Sequence, residues 1–357
     1  VDLPLPDDIA AGLEDVSKRG GWNRSASEEY ALPTETWREH VARRKRCYEL
    51  RVKMKAGEIR EINDLITYNL DICQFAQDTI ENSEGPELVR AFWHAIRNVS
   101  VLDPTCGSGA FLFAALNILE PLYTACLEAM QGFLDDMDRS SRKHHPDKLK
   151  PFRDALAQVE RHPSQQYFIF KSIVVDNLYG VDIMEEAVEI CKLRLFLKLV
   201  AQIETADQIE PLPDIDLNIR PGNTLVGFTS LDAVRKAMTE PEGGQVRMLY
   251  PEEKERLNRI EENAELADRA FQMFRRMQTE YEMDAKDFYA AKADVRKRLA
   301  SLRAQLNILL AGEYGVNARD KTAFAKWQSS HQPFHWFVEF YGVMHKGGFD
   351  VIIGNPP

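Results

Sequence analysis

Residues 100–119 read SVLDPTCGSGAFLFAALNIL, and this stretch decides the fold class. Ser100-Val101-Leu102-Asp103-Pro104 is a short apolar run that ends in a loop. From Gly107-Ser108-Gly109 onward the apolar residues recur at helical spacing, so the stretch predicts a strand, a glycine-rich turn and a helix that starts at once. The glycines let the backbone come close to a ligand, and N–H groups at a helix start suit a nucleotide-like group. The turn is neither G-x-G-x-x-G nor a loop with Gly-Lys-Ser/Thr, which weakens the dinucleotide and phosphate-loop readings. A tight turn with structural glycines remains open.

Working outward, Asn177-Leu178-Tyr179-Gly180-Val181-Asp182-Ile183 is a second short strand, and residues 184–200 follow it as an amphipathic helix. An acidic residue at the end of such a strand can accept both hydroxyls of a ribose, or it can simply cap the helix behind it. Phe349-Asp350-Val351-Ile352-Ile353 is a third strand, closed by Gly354-Asn355-Pro356-Pro357. Proline cannot continue the ladder, so Asn355 is held at the strand tip. Its carboxamide oxygen and a neighbouring carbonyl would cradle a planar amino group; an ordinary Asn-Pro turn is the alternative. Strands alternating with helices predict an α/β fold with a mostly parallel sheet, whose ligands bind at the carboxyl ends of the strands.

The remaining chain divides by texture. Residues 1–97 read as an N-terminal helical region, residues 98–248 as the α/β core with a charged surface excursion at 131–166, residues 249–312 as a helical-hairpin insertion, and residues 313–357 as a return to the core. Within 36–60, Arg43, Arg44, Lys45, Arg46, Arg51, Lys53, Lys55 and Arg60 stand against Glu49 and Glu58, a stretch that either touches nucleic-acid phosphates or forms a solvated helix face. In the insertion, Leu257, Ile260, Ala264, Ala267, Phe271 and Phe274, then Val295, Leu299, Leu302, Leu306 and Leu309, form two heptad stripes. Between Arg247 and Arg303 there are 13 basic and 12 acidic residues, so the insertion is no basic clamp and reads as a structural arm. His144-His145 lacks a carboxylate at ligand spacing, and no protein-bound metal is expected. FHWFVEFYGVM, from Phe334, reads as strand-rich.

Composition narrows the class. The 357 residues are 44% hydrophobic and 28% charged, the net charge is −11, and the mean hydropathy is −0.38. These values describe a globular chain and exclude a wholly disordered one. No run of 18 apolar residues predicts a membrane span, and no signal peptide opens the chain. Five scattered cysteines without a C-x-x-C pair argue for a reducing cytoplasm. Any nucleic-acid contact must be local, given the acidic total. The chain begins without Met and stops at Pro357 directly behind a strand, which reads as a piece of a longer protein.

Taken together, DPxxGSGxF at Asp103–Phe111, GVDI at Gly180–Ile183 and GNPP at Gly354–Pro357 resemble the class I S-adenosylmethionine-dependent methyltransferases (Rossmann-like) that modify an exocyclic amine. The motif order is that of the gamma group of adenine-N6 DNA methyltransferases. Asn218–Leu225 (NIRPGNTL) is similar to the I-x-x-G-N-S/T-L motif between them. LPTETWREHVARRKR, GEIREINDLITYNLDI, VLDPTCGSGAFLFAALNILEPLY and FHWFVEF…GGFDVIIGNPP resemble large single-chain Eco57I-like enzymes, which include restriction–modification methylases and methyltransferases of BREX-like phage-defence islands. The resemblance covers most of residues 30–357.

That resemblance implies S-adenosyl-L-methionine as cofactor and double-stranded DNA as partner, with other restriction or defence subunits alongside and no membrane. Asp103, with Thr105, Cys106, Gly107 and Gly109, would surround the methionine end of the cofactor, and Phe111 would back that pocket. Asp182 would hold the ribose hydroxyls, Ile183 would pack on the adenine ring, and Asn223 would meet its edge. Asn355, Pro356 and Pro357 would form the catalytic segment, with the Asn355 side chain and the Pro356 carbonyl gripping the target amine. The family usually has Tyr or Phe after N-P-P, and the sequence ends one residue before that position. No clean F-x-T-P cofactor motif occurs upstream; Tyr30–Thr34 and the Asn69 region are the candidates. Methyltransferases of RNA or of protein glutamine share the N-P-P motif, and a non-catalytic cofactor-binding assembly module would share the fold. On the reading of a partial catalytic sheet, the chain alone is expected to bind cofactor weakly and to methylate nothing.

Overall fold

A computed structural model describes residues 3–139, 146–205, 213–239, 248–279 and 285–355. The chain forms two compact units, residues 1–75 and 76–357. In the first, α1 (Asp7–Glu14), a 3-10 segment (Val16–Gly21) and α2 (Trp37–Lys55) meet around a small core of Ile9, Trp22 and Val41, and α3 (Ile62–Thr67) follows. The start of α2 is set by a capping box: Thr36 Oγ1 accepts the Glu39 N–H and the Glu39 carboxylate accepts the Thr36 N–H. Arg43 grips Glu35 at 2.8 Å and holds its carboxyl at about 2. Tyr30–Thr34 and Asn69, the candidate upstream segments, both belong to this unit, where Tyr30 packs on Trp37 with ring centroids 5.2 Å apart. The helix α4 (Ile72–Glu81) spans the boundary.

The second unit opens with α5 (Pro86–Asn98) and then builds a four-stranded parallel sheet from β1 (Val101–Asp103), β2 (Leu178–Asp182), β3 (Ile219–Pro221) and β4 (Val351–Ile352), in the order β3-β2-β1-β4. Between β1 and β2 lie α6 (Ala110–Arg139), α7 (Lys150–Val159) and α8 (Gln165–Ser172); α9 (Glu185–Val200) joins β2 to β3. The principal core is apolar residues of α5, α6, α8 and α9 against the sheet, with Leu112, Leu116, Tyr123, Phe168, Leu178 and Leu195 fully buried. Over Ala110–Asp136, α6 is long and apolar enough to cross a membrane; the core it fills, from Leu112 to Met130, accounts for that apolarity.

Three sequence expectations change here. Within the 131–166 stretch, expected as a charged surface excursion, α6 runs on to Arg139 and α7 buries Phe152, Ala155 and Val159 in the principal core; residues 140–145 lie outside the described residues. The helix α9 is not cleanly amphipathic, because Ile190, Leu193 and Leu197 are exposed opposite buried Val188, Cys191 and Leu195. FHWFVEFYGVM forms the short helices α14 (Trp336–Glu339) and α15 (Tyr341–Met344) rather than strand. Phe334, Phe337 and Phe340 recur every third residue, a helical step that a reading by β-propensity of aromatics overrides.

The insertion is α11 (Pro251–Thr279) packed on α12 (Ala285–Glu313), preceded by α10 (Leu231–Thr239) and followed by α13 (Lys321–His331). Leu257, Ile260, Ala264, Ala267 and Phe274 are buried on one helix, Val295, Leu299, Leu302 and Leu306 on the other; the last position falls to Leu310 rather than Leu309. The helices are not a free arm. They share a second core with Leu217, Phe228, Val234, Trp327, Phe337 and Val338.

Candidate functional site

The sheet register brings the motif loops together. Asp103 stands opposite Gly180, Asp182 opposite Pro221, and Leu102 opposite Ile352. All four strands run the same way, so their carboxyl ends form one edge. Across it lie in turn the Gly222-Asn223 loop, Asp182, the Asp103–Gly109 turn and Gly354-Asn355.

Asp103 is fully buried. Its Oδ1 accepts the Thr105 N–H at 3.1 Å, while Oδ2 has no hydrogen-bond partner among the described residues. Burial pushes its pKa up against the Thr105 hydrogen bond, and the Asp182 charge adds to the rise. A buried carboxylate oxygen without a donor is costly. Gly354 abuts it: the Ile353 N–H donates to the Leu102 carbonyl at 2.9 Å, and a Cβ on Gly354 would stand 3.3 Å from Asp103 Oδ1.

Asp182 ties the second strand to the turn. Its Oδ2 accepts the Gly107 N–H at 2.8 Å and its Oδ1 the Met184 N–H at 2.9 Å. It does not cap the following helix, whose N-cap is Met184 with no side-chain partner; it closes a two-residue turn ahead of that helix and also holds the glycine turn. The Cys106 N–H donates to the Val181 carbonyl and the Gly109 N–H to the Cys106 carbonyl, at 2.9 and 2.7 Å. Gly109 has φ of +85°, and a Cβ there would lie 2.6 Å from Cys191 Sγ, so backbone and packing both demand glycine. Cys106 is buried, and contact with the Cys191 thiol together with burial pushes its own thiol far up, out of the nucleophilic range. From α9, Arg194 donates to the Ser108 carbonyl and Oγ at 2.6 and 3.0 Å and lies 4.7 Å over the Phe113 ring. Thr105, Phe111 and Ile183 are exposed at the rim, Phe111 at 41% and Ile183 at 48%.

The Asn223 loop has a different foundation. The Asn223 N–H donates to the Gln332 carbonyl at 2.8 Å, and its side-chain oxygen accepts the Leu225 N–H at 3.0 Å. A Cβ on Gly227 would meet the Phe334 carbonyl at 2.0 Å, so only glycine allows this crossing. Beneath, buried Arg220 pairs with buried Glu339, which also binds Arg303 of α12. Burial alone would raise the Glu339 pKa, but Arg303 and Arg220 hold it below the usual range. His335 accepts the Phe228 N–H through Nδ1 at 3.2 Å and meets Asn307 through Nε2 at 2.9 Å; burial lowers it to about 4, so it stays neutral.

Of the residues singled out by sequence, Asp103, Thr105, Cys106, Gly107, Gly109, Phe111, Asp182, Ile183, Asn223 and Asn355 thus lie on or directly behind one sheet edge. Pro356 and Pro357, and His144 and His145, lie outside the described residues. Sequence reasoning missed Cys191, Arg194, Arg303, Asn307 and Glu339. Nothing local marks them; only an acidic residue inside the aromatic run at 334–341 hinted that Glu339 needs a cation.

The Eco57I restriction-modification methylase family matches residues 176–357, and the MmeI DNA-methyltransferase domain matches residues 77–226. A Methanocaldococcus jannaschii protein named "Putative type II restriction enzyme and methyltransferase RM.MjaORFECS2P" is 28% identical over 331 residues, covering 83% of this chain. The chain spans about a quarter of that relative, since the match takes in 25% of its length. No solved structure matches the chain. With one family spanning more than half of its residues, across β2, β3 and β4, the chain belongs to the Eco57I restriction-modification methylases.

Proposed function

We propose that this chain carries the cofactor lobe and the first catalytic motif of an S-adenosylmethionine-dependent DNA methyltransferase acting on adenine N6, in a cytoplasmic restriction–modification or phage-defence system. The observation that carries the reading is Asp103: a buried carboxylate oxygen without a partner, flanked by the glycine turn on one side and Gly354-Asn355 on the other. The strand order β3-β2-β1-β4 supports a class I, Rossmann-like assignment, because successive strands are added on one side of β1 up to β3 and on its other side at β4, and ligands bind where the strand order reverses in this way.

The donor set fits the cofactor. Asp103 Oδ2 would take the ammonium of the methionine end, and the Asp103–Gly109 backbone would line it. Asp182 has lone pairs left on both oxygens for ribose hydroxyls after accepting Gly107 and Met184. Exposed Ile183 and Phe111 offer apolar walls, and Asn223 stands two strands from Asp103 for the base edge. When bound, S-adenosylmethionine supplies an electrophilic methyl.

The protein's contribution is to the amine. An adenine amino group is a poor nucleophile because its lone pair is delocalised into the ring. Two fixed acceptors, Asn355 Oδ1 and the Pro356 carbonyl, would hold its N–H bonds and disperse the positive charge that develops on nitrogen. Fixing nitrogen in line with the methyl then leaves mostly positioning. Flipping the base from the duplex costs a few kcal/mol. Cys106 takes no part.

The test uses the full-length enzyme with a radiolabelled methyl donor. Methyl transfer to adenine N6 of duplex DNA, lost in Asn355→Ala, is expected. Transfer to RNA or to protein glutamine in place of DNA, or transfer indifferent to Asn355→Ala, overturns the reading.

A further inference from the structure

We infer that the α2 helix of the first unit carries a second, non-catalytic DNA contact, a phosphate-tracking face built from Lys45, Arg51 and Lys55 around Tyr48. The inference rests on the proposal that the polymer is DNA, and it adds a surface that the methyl-transfer site does not use.

Within Trp37–Lys55 there are eight Lys and Arg residues and two Glu, in a chain whose net charge is −11. One of those two carboxylates, Glu39, is turned back into the capping box at the helix start. The cations divide into two groups. Arg43 is spent on Glu35, Arg46 donates to the Tyr68 carbonyl at 2.6 Å, and Lys53 donates to the Tyr68 hydroxyl at 2.9 Å. These three hold the unit together. On the other side, Arg44, Tyr48, Arg51 and Lys55 follow one another at steps of four, three and four residues, which places them on one stripe of the helix. The Arg44 and Arg51 guanidiniums lie 5.6 and 5.9 Å from the Tyr48 ring centroid; Arg44 also donates to the Leu3 carbonyl and so belongs to the unit's own framework rather than to the contact face. Tyr48, Arg51 and Lys55 are exposed, and Lys45 beside them is 77% exposed, with Glu49 at 3.9 Å as its counter-charge.

The face suits a polyanion rather than a single anion. Six helical residues from Lys45 to Arg51 span about 9 Å and four from Arg51 to Lys55 about 6 Å. One DNA strand presents a charge about every 3.4 Å along the axis, so these steps fall near three and two phosphates. A pre-stacked guanidinium loses little freedom on meeting a phosphate. A side chain that contacts phosphate carries no sequence preference, so this face would position the duplex and leave base choice to other surfaces.

The experiment is fluorescence anisotropy of a labelled 20-base-pair duplex titrated with the 357-residue chain across about 50–200 mM salt. Replacing Lys45, Arg51 and Lys55 together by Ala should lower the slope of log affinity against log salt by roughly 2–3, at roughly 0.9 per lost contact. Affinity at the lowest salt should fall at least tenfold. The charge-preserving set Lys45→Arg, Arg51→Lys, Lys55→Arg should keep the parental slope, which separates phosphate contact from damage to the fold. An unchanged slope in the Ala variant, no measurable binding by the parent chain, or stronger binding of a single-stranded RNA of equal length would each overturn the inference. A failure here with Asn355-dependent methylation intact would leave the catalytic reading standing.

Discussion

The two halves of the sheet edge treat buried charge in opposite ways. Under the Asn223 loop, every charged group has its counterpart: Arg220 and Arg303 share Glu339, and neutral His335 is bonded at both ring nitrogens. At the end of β1, Asp103 is equally buried, yet one of its oxygens has no partner among the described residues. The first arrangement stabilises a fold and is complete without a ligand. The second costs stability, and on the proposed function a bound cofactor would offset that cost. Polar groups that serve the structure are satisfied within it, whereas those that serve a ligand are left open.

That contrast can be broken by mutation, and the largest effect is expected at Glu339. Glu339→Gln leaves Arg220 and Arg303 without their anion and should cost about 3–5 kcal/mol in urea unfolding. A loss below about 1 kcal/mol would mean that the network is not stabilising. Next comes Gly109→Ala, which forces a side chain into positive φ and onto Cys191; about 2–3 kcal/mol is expected. Adding Cys191→Ala removes the obstructing sulfur and should recover part of that loss; no recovery would assign the whole cost to the backbone.

Asp103→Asn should run the other way. Removing a buried, half-satisfied carboxylate should raise unfolding stability by about 1 kcal/mol while weakening S-adenosylmethionine at least tenfold by calorimetry. If Asp103→Asn destabilises the chain or leaves binding unchanged, the comparison of a closed with an open network fails. The pH dependence sharpens it. The Asp103 pKa is raised in the fold, so its favourable contribution is complete below the ordinary aspartate range and is lost as pH rises through the folded value. Glu339 is lowered, so its contribution is present above the ordinary glutamate range and is lost as pH falls through the folded value. Asp103→Asn should therefore help most near neutral pH, and Glu339→Gln should cost least in acid.

The smallest effect belongs to the first unit. Arg43 holds Glu35 at about 2, so the stability this pair adds is present above the ordinary glutamate range and disappears as pH falls toward 2. Glu35→Gln should flatten that acid limb while leaving the neutral-pH melting temperature within a few degrees.

The sequence was most informative where one segment carries its own constraint. The Asp103–Gly109 turn, Asp182 and the Asn355 tip each announce a strand end by an apolar run meeting Gly, Asp or Pro, and the heptad spacing of α11 and α12 names most of their buried faces. It was least informative where a contact joins distant segments. Arg220 and Glu339 are 119 residues apart, and Arg194 reaches Ser108 across 86; no periodicity encodes either pair. The aromatic run at 334–341 misled for a related reason. Its β-propensity was real, but Glu339 was called inward by two arginines from elsewhere, and a helical step delivers it there.

The link between Ser100 and Asp350 has a consequence in time. The Ser100 N–H and hydroxyl both donate to the Asp350 carboxylate, at 2.8 and 2.7 Å across 250 residues, and this clasp starts the pairing of β4 with β1. Such a distant closure forms slowly compared with helix and hairpin formation. A chain emerging from the ribosome can lay β1, β2 and β3 side by side long before β4 exists. The part of the sheet edge built by β1, β2 and β3 can thus form first, and the strand bearing Asn355 then docks onto a frame already built.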